Sequence, residues 1–356
     1  MKQIEIFAKR LRQARIKQQL SMEGLSQLTG GAISKQAISK YEAAKMMPNS
    51  TNLISIAEAL MENLEYFFRP FKFDIDNMNI SFRKKSSVGK KNIESLKIQI
   101  QNDVENYLEI EEILDVKQAG TPCDSHELIS TIADVEEEAL LLRKKWHLGL
   151  DPISNVNEML ETNGIKVILT KGPDGFDGVS GVVNEEWPIM VLNEDISMAE
   201  RSRFTALHET AHILFNQHMT LDLTEKEQEK LCNAFASEML LPTPVLLSMF
   251  KGKNKISLKE LTYLQENFGI SIDAIMYKLK QLGLVTEKRY KCFYMRKNSN
   301  PDFKAKVEKS RFHEKRVSRY SAMVYSALAQ QLISASKAAS LLGIPIHTVN
   351  ETVNVI

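Results

Sequence analysis

The chain has 356 residues, 43% hydrophobic and 26% charged, and its 46 Lys and Arg nearly balance 45 Asp and Glu. That composition suits folded globular domains rather than a disordered chain, and the length calls for two or three of them. A net charge of +1 excludes a global polyanion binder, so any nucleic-acid surface must be local. Three cysteines, Cys123, Cys232 and Cys292, are odd in number and widely spaced; they form no disulfide framework and suit a reducing cytosol. The first residues, MKQIEIFAKRLRQARIKQQ, lack the apolar stretch of a secretory signal, and no run approaches the ~18 apolar residues of a membrane span. A cytoplasmic protein with no membrane partner is expected.

Ile4, Phe7, Leu11 and Ala14 recur at helical spacing among Lys9, Arg10, Arg12, Arg15 and Lys17, which predicts an amphipathic first helix. Ser21 precedes a short second helix whose capping box is incomplete, because Gly24 stands where Glu or Gln would close it. That helix ends at Gly30-Gly31, and a third runs from Ser34 through Glu42 with Ile38 facing the core. Asn49-Ser50-Thr51 caps a fourth helix carrying Leu53, Ile54, Ile56, Ala57 and Leu60. Two short helices about a tight turn place the second in a major groove. Gln36 is the expected base contact, Lys35 and Lys40 the phosphate anchors, and Ser39 a further contact to base edge or phosphate.

Leu25, Ile33-Ser34, Ile38-Ser39, Tyr41-Glu42, Pro48 and Ile56-Ala57 with Leu60 carry a resemblance to the XRE (Cro-repressor-like) helix-turn-helix family across this stretch. It departs at Ala43-Ala44, where that family often ends the recognition helix with Gly. The resemblance implies binding to a double-stranded DNA operator. Residues 1–70 hold ten Lys and Arg against six Asp and Glu, a modest excess that suffices for local phosphate contacts.

Phe71–Ile75 and Ile80–Phe82 alternate briefly, as short strands do. The run Arg83–Lys91 reads as a solvated turn. Apolar residues from Ile93 to Leu114 predict a long helix, Gly120-Thr121-Pro122 breaks the chain, and a second helix covers about Ser130–Trp146. Cys123 and His126 near the break have no matching pair and read as packing or surface residues. Asp151-Pro152 is expected to start a helix ending at Asn163-Gly164. Three strands follow, at Ile165–Leu169, around Val179–Val183, and at Trp187–Asn193.

Next comes Arg203-Phe204-Thr205-Ala206-Leu207-His208-Glu209-Thr210-Ala211-His212, which contains H-E-x-x-H. On a helix, His208 and His212 share a face one turn apart and can hold one zinc ion, with Glu209 beside them as a base. A catalytic zinc needs a third ligand. His218 has metzincin spacing, but Phe215 stands where the returning turn needs Gly. Glu229 is the rival, on a helix that Thr224 caps and Leu241-Pro242 ends. Counting on from Glu229, Cys232, Asn233 and Ala236 form a small stripe able to pack on the H-E-x-x-H helix. Asn233, one turn on, can hydrogen-bond the Glu229 carboxylate and orient it. Glu225 and Glu227 fall on a solvated face, and Glu238 comes late in the helix.

R-F-T-A-L-H-E-T-A-H-I-L-F followed by E-K-L-C-N-A-F-A-S-E-M-L-L-P resembles the ImmA/IrrE family of zinc metallopeptidases over about residues 130–285. The resemblance implies His208, His212 and Glu229 as zinc ligands and Glu209 as catalytic base. It also implies cleavage of a partner helix-turn-helix repressor, in stress response or mobile-element control. Thr210-Ala211 and Leu241 depart from the family's frequent residues without removing a ligand.

Downstream, Ile256–Leu284 predicts two helices about a turn, similar to that family's tail and expected to pack on the peptidase core. Lys304–Arg319 is basic, and Ser334–Pro345 again suggests two helices about a turn, suited equally to a solvated tail, a docking module or a second DNA contact. The expected fold class is α+β, mostly α. It comprises a helix-turn-helix bundle over 1–70, a linker with a long helix over 71–129, a minimal zincin-like domain with a small sheet over 130–290, and a basic helical region over 291–356. The expected function is a DNA-binding transcriptional regulator fused to a zinc endopeptidase, with a homodimer compatible. The rival is a non-catalytic regulator or antitoxin that uses the zincin fold for sensing or dimerisation.

Overall fold

The computed structural model describes residues 1–73, 89–116, 128–184, 186–215, 219–220, 222–314 and 318–353. In chain order the first helices are α1 (Gln3–Lys17), α2 (Met22–Leu28), α3 (Lys35–Glu42) and α4 (Ser50–Leu60), a 3-10 turn over Leu64–Phe68, then α5 (Lys90–Ile113), α6 (Ile132–Lys145) and α7 (Val156–Thr162). Strands β1 (Lys166–Thr170), β2 (Gly178–Val183) and β3 (Trp187–Asn193) follow, then α8 (Ala199–Phe215), α9 (Glu225–Leu240), α10 (Thr243–Phe250), α11 (Leu258–Phe268) and α12 (Ile272–Gln281). The chain closes with α13 (Glu287–Ser299), α14 (Pro301–Glu308), α15 (Arg319–Ala329), α16 (Ala335–Leu342) and α17 (Ile346–Val353). Contacts divide the chain into two units: one of Met1–Lys117, Gly172–Phe176 and Ser318–Ile356, the other of Gln118–Lys171 and Asp177–Val317.

In the first unit the expected caps form. Ser21 Oγ accepts from the Gly24 amide at 2.9 Å, Ser34 Oγ from Ala37 at 3.2 Å, and Asn49 Oδ1 from Asn52 at 2.8 Å. Gly30 and Gly31, with φ of 65° and 76°, supply the left-handed turn between α2 and α3. Phe7, Leu11, Leu25, Ile38, Ile56, Leu60 and Phe67 close a buried core. Arg10 is also buried, and its guanidinium donates to Glu105 on α5 at 2.7 Å, with Arg69 donating to the same carboxylate at 3.1 Å. The α1–α4 bundle is therefore fixed to α5 by a charge that could not be left unpaired. The C-terminal helices pack in this unit too: Tyr320 stacks on Tyr107 of α5 at 5.7 Å, and Lys337 pairs with Glu109 at 2.7 Å. Of the two expected strands after the bundle, Phe71–Phe73 is not in a strand, and residues 74–88 lie outside the described residues.

Helix α3 ends at Ala43-Ala44, where the sequence lacks the Gly of a usual C-cap. Ala44 adopts φ 54°, with its amide on the Tyr41 carbonyl at 3.1 Å and the Lys45 amide on Lys40 at 3.0 Å. An L side chain costs about 1–2 kcal/mol in this conformation.

In the second unit the sheet order is β1-β3-β2, with β1 parallel and β2 antiparallel to β3. β3 is central, and Pro188 through Leu192 are buried, which is why its sequence is a continuous apolar run rather than an alternation. Helix α8 lies against β2 and β3 and crosses α9. Phe215 and Phe235 meet edge-on at 5.2 Å in the shared core, with Leu207, Ala211, Cys232 and Ala236 around them.

The helix expected from Pro152 begins later, at Val156, capped by Asn155 Oδ1 on the Glu158 amide at 3.1 Å. The reason is tertiary. Buried Arg143 takes the Asp151 carbonyl at 2.5 Å, and buried Arg203 takes that of Ile153 at 2.6 Å. These carbonyls are drawn towards buried guanidinium groups rather than along the axis of a first helical turn.

Arg203 also pairs with Glu314 at 2.8 Å and lies over the Phe312 ring at 4.2 Å, while Glu200 accepts from Ser310 Oγ at 2.5 Å and the Arg311 amide at 3.0 Å. The segment after α14 is thereby strapped across the first half of α8. As expected, α11 and α12 pack on this core, joined at Gly269 with φ 61°.

Two stability outcomes follow from these contacts. Ala44→Gly should stabilise the protein by about 1 kcal/mol, read as a higher urea midpoint; an unchanged or lower midpoint contradicts the strain. Glu314→Ala strands the buried Arg203 charge and should destabilise by about 3 kcal/mol; a loss under about 1 kcal/mol in chemical denaturation contradicts the strap.

Candidate functional site

Helix α8 buries Ala206, Leu207, Thr210, Ala211 and Leu214, which turns His208, Glu209 and His212 towards its half-buried side. The two imidazoles meet with Nε2 atoms 3.2 Å apart. From α9, Glu229 Oε2 lies 3.3 Å from His208 Nε2, and Oε1 lies 3.7 Å from His212 Nε2. Among the described residues, His208, His212 and Glu229 are the group whose ligand atoms all fall within 4.8 Å of one another. A tetrahedral zinc with Zn–N and Zn–O bonds of about 2.0–2.1 Å has ligand–ligand edges of about 3.3 Å. The three donors therefore already stand near three corners of such a tetrahedron, and two imidazoles with a carboxylate form a donor set zinc accepts.

The outer faces of the imidazoles are held as well. His208 Nδ1 lies 3.0 Å from Asn233 Oδ1, an acceptor, which assigns the ring proton to Nδ1 and leaves the Nε2 lone pair facing the donor cluster. Asn233, expected to orient Glu229, thus engages an imidazole of the cluster. Asn233 is four residues further along α9, and that turn of the helix faces His208. His212 Nδ1 lies 3.3 Å from the Sγ of buried Cys232.

Glu209 carries a contact that no local pattern suggested. Ser180 Oγ on β2 lies 2.7 Å from Glu209 Oε2 and 3.1 Å from the Glu209 carbonyl. One hydroxyl proton serves one of these acceptors at a time, and the carboxylate is the closer. Two residues earlier, a Cβ at Gly178 would meet Leu192 Cδ2 at 3.0 Å and Thr205 Cγ2 at 3.1 Å. The absence of a side chain there lets β2 lie close enough to α8 for Ser180 to reach Glu209. The sequence signal was faint: a small polar residue two positions after a glycine in an apolar strand.

The remaining acidic candidates go elsewhere. Glu238 is buried against Lys278 and accepts from the Thr243 amide and hydroxyl, both at 2.7 Å, so it secures the end of α9 rather than the cluster. Burial holds the Lys278 ammonium below its ordinary pKa, and Glu238 opposes that shift. Glu225 and Glu227 are exposed in the first turn of α9, where Glu227 completes a capping box with Thr224. His218, Cys123 and His126 lie outside the described residues.

On α3, Ile38 and Tyr41 face the core while Lys35, Gln36, Ser39 and Lys40 are all exposed. The helix thus presents one polar face carrying every residue expected to meet DNA. Lys35 Nζ is 3.9 Å from Glu23, a loose surface pair that phosphate can displace.

Residues 160–280 match the family described as the IrrE N-terminal-like domain, and residues 11–67 match a helix-turn-helix family. No curated protein matches the chain. The first match spans the sheet, α8, α9 and all three clustered donors; the second spans α2, α3 and α4.

Metal analysis tests the donor set. Wild type should hold one zinc per chain and Glu229→Ala substantially less, while Asn233→Ala should bind zinc about 10–100-fold more weakly in chelator competition. Full zinc retention by Glu229→Ala would remove Glu229 from the set.

Proposed function

Since the chain joins an XRE-type helix-turn-helix DNA-binding domain to a peptidase domain of the ImmA/IrrE type, we propose that it is an operator-binding transcriptional regulator carrying a zinc endopeptidase. Its substrate in this reading is a partner helix-turn-helix repressor, and it acts in the cytoplasm. The single observation that carries the peptidase half is the 3.2–3.7 Å triangle of His208, His212 and Glu229 with Glu209 adjacent. No helix among the described residues is long and apolar enough to cross a membrane.

In this reading His208, His212 and Glu229 hold the zinc and Glu209 is the base. The metal, when bound, supplies Lewis acidity that makes a water more acidic and polarises a peptide carbonyl. Glu209 takes the proton of the attacking water and delivers it to the departing amine nitrogen. A site that held zinc for structure alone would need no such base. Ser180, by hydrogen-bonding one carboxylate oxygen, holds the Glu209 side chain in a fixed orientation for these transfers. β2 is an edge strand beside α8, so an extended substrate segment can add to the sheet there. Lys35, Gln36, Ser39 and Lys40 would make the operator contacts, with Gln36 reading a base and the two lysines on phosphates.

The test is cleavage of the helix-turn-helix repressors encoded beside the gene for this chain. Zinc-loaded wild type should cut one of them, and Glu209→Gln should retain zinc while losing at least about 100-fold in rate. If wild type and Glu209→Gln leave every candidate equally intact while operator binding persists, the chain is a non-catalytic regulator and the peptidase reading fails.

A further inference from the structure

Charge is divided unevenly within the second unit. Residues 128–250, which bear the sheet and the metal-site helices, carry 9 Lys and Arg against 20 Asp and Glu. Residues 251–310, which form α11 to α14 and the loop before them, carry 14 Lys and Arg against 6 Asp and Glu. The whole-chain charge of +1 conceals this division, because the two halves nearly cancel.

Apart from buried Lys278 and Lys297, which pair internally with Glu238 and with Asp273 and Glu308, much of the charge of the basic half lies at the surface. Lys251, Lys253 and Lys255 are exposed in the loop between α10 and α11, and Lys259 is exposed in the first turn of α11. Arg289 of α13 donates to the Asn254 carbonyl, which fixes the start of α13, with exposed Lys288, beside that lysine loop. Lys304 and Lys306 are exposed on α14, which packs on α12 and α13. Some of the charge is matched: Lys253 pairs with Glu260 at 2.9 Å, and Glu287 takes Lys280 at 3.1 Å and Lys291 at 3.7 Å. Among the described residues, Lys251, Lys255, Lys259, Lys288, Lys304 and Lys306 pair with no carboxylate. Side chains held in this way keep their charge available to an external polyanion.

We infer that this face of the peptidase unit, formed by the 251–255 loop, the start of α11, and α13 with α14, binds the phosphate backbone of duplex DNA without reading sequence. DNA is favoured over an acidic protein because a helix-turn-helix domain on the same chain delivers this face to DNA at high effective concentration. Lysines lacking a fixed carboxylate partner also suit phosphate, which they meet as point charges through release of counterions. The peptidase unit would then ride on the DNA that the first unit selects, and operator binding would draw on both units.

The test uses the full chain and a 30-base-pair duplex of arbitrary sequence, with affinity measured by fluorescence anisotropy across 50–200 mM salt. Lys251→Gln, Lys255→Gln, Lys259→Gln and Lys288→Gln are combined, and Lys304→Gln with Lys306→Gln forms a second variant. Both leave α3 and the metal site untouched, and coincident thermal melts establish that they fold. Each lost phosphate contact lowers the slope of log affinity against log salt by about 0.9, so the fourfold variant should lose about 3.6 in slope and about tenfold or more in affinity. Unchanged slope and affinity in both variants overturn the inference. So does unchanged DNA binding with loss of self-association in sedimentation, which would assign the face to the acidic half of a second copy.

Discussion

How closely α8 and α9 cross decides what this protein can do. A carboxylate on one helix must come within about 3.3 Å of two imidazoles on the other for one ion to see all three, and bulk between the helices would prevent it. The sequence meets that demand with small residues. Ala206 and Ala211 on α8, and Cys232 and Ala236 on α9, are buried in the shared core, while Phe215 and Phe235 fill the wider gap further along. Side chains 3.2–3.7 Å apart at the open side of the crossing are the result.

The rest of the second unit holds that crossing in place with buried charge. Arg203 and Glu200, one and two turns before the histidines, are tied to the strap that follows α14; Glu238 and Lys278 tie the end of α9 to α12. Each of these groups would be costly to leave alone in the core, so each specifies a neighbour as well as contributing energy. The first unit uses the same device, with Arg10 and Arg69 converging on Glu105 to fix the helix-turn-helix bundle to α5. Ser180 belongs with these positioning contacts, since it holds Glu209 from a strand rather than from a neighbouring turn.

Local patterns carried much of this in the sequence. H-E-x-x-H and the helix bearing Glu229 are each short enough to read directly, and a start at Ser34 with caps at Asn49 and Thr224 placed α3, α4 and α9 to within a residue or so. Apolar runs located all three strands. What remained hidden depends on distant parts of the chain meeting. Pro152 looked like a helix start because nothing local reveals that Arg143 and Arg203 claim the carbonyls around it. The contact of Asn233 with His208 was hidden because spacing along α9 fixes which side Asn233 occupies, not how α8 crosses. Ser180 lies 29 residues before Glu209 and reaches it through the order β1-β3-β2, and no pattern announces that α15 to α17 pack in one unit with the N-terminal bundle.

In the proposed arrangement one zinc sits between α8 and α9 on two imidazoles and one carboxylate, with a position left for water. X-ray absorption at the zinc edge of the loaded protein addresses it most directly. The expected shell is nitrogen and oxygen alone at about 2.0–2.1 Å, with the outer-ring scattering of two imidazoles. A sulfur contribution at about 2.3 Å would bring Cys232 into the metal shell and contradict the arrangement, as would the scattering of three imidazoles.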